Sequence, residues 1–211
     1  MRPASTLHNR AKALIDFWFG LPGDPAREHH REIWFRSTEE FDAALHREFL
    51  ADYDAAAAGA LRSWEATPEG ALALVLLLDQ VPRNIFRATP NAYVTDAEAC
   101  AAADRALERG FDQLVPPAWR LFFYMPFHHS EDLADQRRSV ALFDALPRNR
   151  DHGGALRRYG CPYIEVIERF GRFPHRNEIL GRQSTAAEVT FMAEVAALRA
   201  SDQSGTDSRS A

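Results

Sequence analysis

The sequence predicts an all-α fold of about eight or nine helices packed as antiparallel pairs. Three features carry this prediction. No stretch alternates β-branched and polar residues as a half-buried strand does. Apolar residues recur instead three and four apart, the spacing of one helical face. Prolines, glycines and capping residues divide these stretches at intervals of roughly 10 to 20 residues, and the short connections favour antiparallel neighbours. A sequence period of about 34 residues is not evident, so any repeat is degenerate.

The central element lies between Thr67 and Arg87. Ala71 to Leu78 is apolar on every side and reads as a helix buried all round, with Thr67 as its cap and Pro68 at its first position. The polar run Asp79-Gln80-Val81-Pro82-Arg83 follows, and Pro82 is expected to end or kink the helix. Upstream, Leu7, Ala11, Leu14, Ile15 and Trp18 share one face of a first helix that stops near residue 19, ahead of Gly20, Pro22 and Pro25. Residues 26 to 35 suggest a short second helix. Ser37 with Glu40 is a candidate capping box for a helix to about Ala58, with Phe41, Leu45, Phe49 and Tyr53 facing inward.

Downstream, Thr95 with Glu98 is a second candidate box, ahead of an alanine-rich helix to Arg109 before Gly110. Pro116-Pro117 opens an aromatic segment, Trp119 to Tyr124, that Pro126 is expected to close. Ser130 is expected to cap a helix from Glu131 to Leu146, with Leu133, Val140, Leu142 and Phe143 inward and Pro147 at its end. A helix from about Gly154 to Phe170 has to accommodate Gly160 and Pro162, which predicts a kink or a late start after Cys161. The last helix, Ala186 to Leu198, opens on Thr185 with Glu188. Residues 1–200 thus read as a single helical domain, and 201–211 as a disordered polar tail.

Composition narrows the function classes. A chain of 211 residues can bury roughly 70% of its unfolded surface without disulfides or cofactors, and no cofactor is predicted. Cys100 and Cys161 lack CxxC partners, so a reducing, cytoplasmic setting is expected. No apolar run reaches the roughly 18 residues of a membrane span, and no signal peptide is evident at the start. The net charge of -5 is spread among interspersed acids and bases, which argues against nucleic acid as a partner. Lys12 is the only lysine; arginine supplies every other basic side chain, a bias that by itself does not indicate phosphate binding.

Four strings in order resemble a bacterial family catalogued as domain of unknown function 924. They are Leu14-Ile15-Asp16-Phe17-Trp18-Phe19-Gly20, the run from Leu78 to Arg87, the run from Phe123 to Glu131, and the run from Arg169 to Asn177. The resemblance spans most of residues 13 to 192 and implies a tetratricopeptide-like all-α superhelix. It implies no activity. Tyr163 stands where members of the family often carry histidine.

Three polar strings fall at helix breaks and supply the candidate site: Asp79 and Arg83; His128 and His129; Arg172, His175 and Arg176. Asp79 suits a base or an arginine partner. Arg83 and Arg176 carry planar forks that match carboxylate or phosphate, and imidazole can give or take a proton near neutral pH. The structural alternative is that Asp79 and Gln80 serve the broken helix end and the arginines pair with nearby acids. His128 and Asp132 are metal-ligand types four apart, but Ser130 and the acids after it also suit a helix start, and no metal is assigned. Two functions follow. One is a site for a small anionic metabolite, with acid–base chemistry; the other is a scaffold whose concave face takes a peptide or protein.

Overall fold

The computed structural model describes residues 4–146 and 163–207, and among them the regular structure is all helical, with no strand. Eight α-helices follow one another: α1 Ala4–Phe19, α2 Glu39–Ala57, α3 Pro68–Ile85, α4 Asp96–Glu108, α5 Pro117–His129, α6 Leu133–Asp144, α7 Tyr163–Phe170 and α8 Ala186–Asp207. Short 3-10 turns fill several of the connections. Helix α3 is the centre, in contact with α1, α2, α4 and α5. Every residue from Gly70 to Pro82 is buried, as its unbroken apolar run requires. Thr67 accepts a hydrogen bond from the Gly70 amide at 3.1 Å, and Pro68 occupies the first turn. A side chain at Gly70 would place its Cβ 2.2 Å from the Trp64 carbonyl oxygen, so only glycine lets α3 start this close to the preceding turn.

Pro82 does not end this helix; α3 continues to Ile85. A proline at position 82 cannot donate to the carbonyl of Leu78 four residues earlier, and a buried carbonyl without a donor is costly. The Thr95 hydroxyl donates to that carbonyl at 2.6 Å. This also explains why Thr95, the residue before α4, makes no side-chain capping bond to its own helix.

Other helix starts shift for comparable reasons. Thr38 rather than Ser37 caps α2, accepting from the Phe41 amide at 3.2 Å, while the Ser37 hydroxyl accepts from Arg87 at 2.6 Å. Residues 26 to 35 form two 3-10 turns, Pro25–Glu28 and Glu32–Trp34, instead of one helix. They are drawn onto the end of α1, where Arg31 and the Trp34 indole both donate to the Trp18 carbonyl. Helix α5 runs through Pro126 to His129. Asp132, not Ser130, caps α6 by accepting from the Ala134 and Asp135 amides. Val140 on α6 is 42% exposed, whereas Gln136 and Ser139 are buried. Gln136 turns inward because it donates to the carbonyls of His128 and Ser130, which the end of α5 leaves open.

The helix start expected between Gly154 and Cys161 lies outside the described residues. Before α8 the capping box Thr185 with Glu188 forms as the sequence suggests, the Glu188 amide donating to Thr185 Oγ1 and the Thr185 amide to the Glu188 carboxylate. Helix α8 extends beyond Leu198 to Asp207. Among the described residues, no helix is long and apolar enough to cross a membrane.

Two apolar clusters result. The larger draws on α1 to α6 and the turns between them. The smaller gathers Val166, Ile167 and Phe173, with Leu133, Tyr163, Phe170 and Phe191 packed against them.

Candidate functional site

A cleft of about 660 Å³ opens where the two clusters meet. Tyr93 and Val94 from the loop before α4, and Asp96, Cys100 and Asp104 along α4, form one wall. His129, Ser130 and Glu131 at the end of α5, Asp135 on α6, and Arg176 with Leu180 form the rest.

Behind this cleft, Asp79 projects from the buried stretch of α3 and is completely inaccessible to solvent. Its Oδ1 lies 2.7 Å from His129 Nδ1 and 3.1 Å from Arg83 Nη1, and its Oδ2 accepts from the Gln80 amide at 2.5 Å. Burial alone would push the Asp79 pKa up, but Arg83 and His129 outweigh it and hold the carboxyl below its ordinary range. An ionised carboxylate only accepts hydrogen bonds, so His129 Nδ1 carries the proton and donates it. The imidazole pKa is lowered, by burial first and by Arg83 second, against the pull of Asp79. At neutral pH His129 is therefore a neutral ring with a bare Nε2, which has no protein partner among the described residues, on a side chain that lines the cleft.

Arginines knit the walls together. Arg83 Nη2 binds Asp96 at 2.8 Å and its Nη1 donates to the Asp79 carbonyl at 2.6 Å. Arg176 Nη1 reaches Asp96 at 3.3 Å and its Nη2 donates to the His129 carbonyl at 2.8 Å. The Arg176 guanidinium lies between the Tyr93 and Phe173 rings, 4.6 and 4.7 Å from their centroids, and only 6% of the residue is exposed. Its buried Nε has no hydrogen-bond partner among the described residues.

Of the seven residues singled out from the sequence, Asp79, Arg83, His129 and Arg176 come together, and His128, Arg172 and His175 do not. His128 points away from its neighbour, stacked on Tyr163 at 4.2 Å and edge-on to Phe143. Burial, reinforced by His129, lowers its pKa to about 3. That stacking is also the place of Tyr163, whose ring meets Phe173 as well. Arg172 forks onto Glu188 at 2.7 and 2.9 Å, a contact that fixes the start of α8. His175 is exposed and lies beside Phe173, outside the cleft lining. Arg87 is likewise remote, bound to Asp42 and Ser37. Sequence reasoning did not single out Asp96, Tyr93, Glu131 or Asp135 as a group. Asp96, Glu131 and Asp135 all sit at or beside a helix start, where an acid is expected with or without a ligand.

Comparisons with known proteins place the chain without supplying an activity. The model of a family described as bacterial protein of unknown function (DUF924) matches residues 14–196. A solved structure of a protein of unknown function from Agrobacterium tumefaciens is similar, with 39% sequence identity and a TM-score of 0.76, over 89% of this chain and 98% of that one. No match is found among curated proteins.

Proposed function

The chain belongs to this family of bacterial proteins of unknown function (DUF924), and we propose that the cleft binds a small anionic metabolite and exchanges a proton with it through His129. The observation that carries this reading is the 2.7 Å contact between buried Asp79 and His129 Nδ1, on a residue that lines a cleft of small-molecule size. A buried carboxylate behind an imidazole fixes its tautomer and orientation, so Nε2 is presented as a base and becomes an acid once protonated. Arg176 is the cation of the cleft lining and supplies the donors for a carboxylate or phosphate oxygen. Arg83 keeps Asp79 ionised and His129 in place.

A thermal-shift screen against carboxylated and phosphorylated metabolites tests this, since a ligand at about 100 times its Kd stabilises the folded state by roughly 2.7 kcal/mol. One class of anion is expected to raise the melting temperature, and Arg176→Ala is expected to abolish the shift. His129→Gln should keep the shift and lose solvent-deuterium exchange into the ligand, followed by NMR. If no anion stabilises the wild-type protein, or the shift survives in Arg176→Ala, the metabolite reading fails and a peptide- or protein-binding scaffold takes its place.

A further inference from the structure

The charge around the cleft is not that of a plain anion receptor. Among the described residues, four carboxylates line it, Asp96, Asp104, Glu131 and Asp135, against the single cation Arg176. Three of the four are answered by arginines: Asp96 by Arg83, Asp104 by Arg138, and Glu131 by a bidentate contact from Arg182 at 2.7 and 3.0 Å. Asp135 is different. Its amide donates to the α6 cap, but its carboxylate has neither hydrogen bond nor ion pair among the described residues. The helix dipole favours an acid there without demanding one, because Asp132 already caps the turn. The Asp135 carboxylate also acts across the cleft: after burial it is the foremost influence raising the pKa of the Cys100 thiol on α4.

Asp79, behind His129, adds a fifth carboxylate to these four, and Arg83, Arg138, Arg176 and Arg182 supply four positive charges. With His129 neutral, one negative charge stays uncompensated among the described residues, and it belongs to Asp135. Arg176 offers the complementary feature on the same cleft: the residue is 6% exposed, and its buried Nε has no hydrogen-bond partner among the described residues. An anion alone would occupy the cation and leave Asp135 facing added negative charge. Among the described residues no three His, Cys, Asp or Glu side chains are grouped to hold a metal ion, so the unanswered charge suits an organic cation.

Resting on the metabolite reading above, we infer that the ligand is zwitterionic: an anionic group meets Arg176 and an ammonium group meets Asp135. An amino acid or an amine-bearing phosphate has this chemistry. Its two charged ends would hold the intervening carbons beside His129 Nε2.

Calorimetric titration of the intact protein with γ-aminobutyrate, δ-aminovalerate and ε-aminocaproate, beside valerate and pentylamine, tests the inference. At least one amino acid should bind about tenfold or more tightly than either single-charge analogue, and Asp135→Asn should bring it down to the affinity of valerate while leaving valerate itself unweakened. The inference is overturned if valerate matches the amino acids, or if Asp135→Asn leaves their affinity unchanged. Valerate binding that depends on Arg176 without any gain from the ammonium would leave the anion site standing and remove only the zwitterion. Absence of binding by both series would remove both readings.

Discussion

At the scale of single residues, Asp79, His128 and His129 show how burial and nearby charge set protonation. A buried carboxylate is tolerated only when cations and donors surround it, and Arg83, His129 and Gln80 do so here. His128 and His129 are adjacent in sequence, yet one joins this network and the other is packed among aromatic rings. The pKa of His128 falls from 6.5 to about 3 because burial disfavours its charged form. A depressed histidine pKa means that the unfolded chain binds the extra proton first between those values, so its contribution to stability is complete above pH 6.5 and is lost as pH falls toward 3. Each such proton contributes a slope of about 1.4 kcal/mol per pH unit. His128→Phe, which keeps a ring for Tyr163 to stack on, should therefore lessen the loss of stability between pH 6 and 4.5 by roughly one proton. Urea denaturation across that range measures it, and an unchanged slope would show that His128 does not stay neutral in the fold. The sequence displayed these residue types but not their division of labour, because which face of α5 each histidine takes is set by what packs there.

At the scale of elements, the long buried helix α3 depends on a residue outside it. Pro82 sits within the helix and leaves the Leu78 carbonyl without its usual donor, and Thr95 supplies one at 2.6 Å. Thr95→Val should leave that carbonyl buried and unsatisfied, at a cost of about 1 to 3 kcal/mol. Restoring the helical donor with Pro82→Ala should recover most of the loss, so the two substitutions should be strongly non-additive in chemical denaturation. Additive effects would mean that Thr95 stabilises the protein by packing alone. The helix itself, its cap and its burial were legible from Thr67, Pro68 and the apolar run. Its continuation past Pro82 was not, because sequence shows the missing donor at 82 and cannot show a hydroxyl arriving from 13 residues further on.

At the scale of the whole molecule, the cleft lies on a seam between a large apolar core and a small one. Much of what joins the two across the cleft is polar: Arg176 with Asp96, Arg182 with Glu131, and the Phe173 amide with Glu131 at 2.7 Å. Polar contacts beside solvent are replaced by water at a smaller net cost than apolar burial, whereas α3 is surrounded by helices. Hydrogen exchange should accordingly find amides of α7 and of residues 173–182 less protected than those in the middle of α3, and a ligand bound in the cleft should protect the former. Equal protection throughout would show that the molecule opens only as one unit.

Hydrophobic periodicity, proline and glycine positions and capping residues determined the all-α class and the centrality of α3, since these depend on contacts a few residues apart. The same logic placed the capping box at Thr185 and Glu188. It misassigned the caps at Ser37, Thr95 and Ser130, whose hydroxyls bond instead the distant Arg87 guanidinium, the distant Leu78 carbonyl and the nearby Asp132 amide. The tertiary structure alone decided that Asp79, Arg83, His129 and Arg176 converge with Asp96 and Asp135, while Arg172 and His175 serve elsewhere. Arg176 reaches Asp96 across a separation of 80 residues. Pairings of that range depend on how helices stack, and no local pattern encodes them.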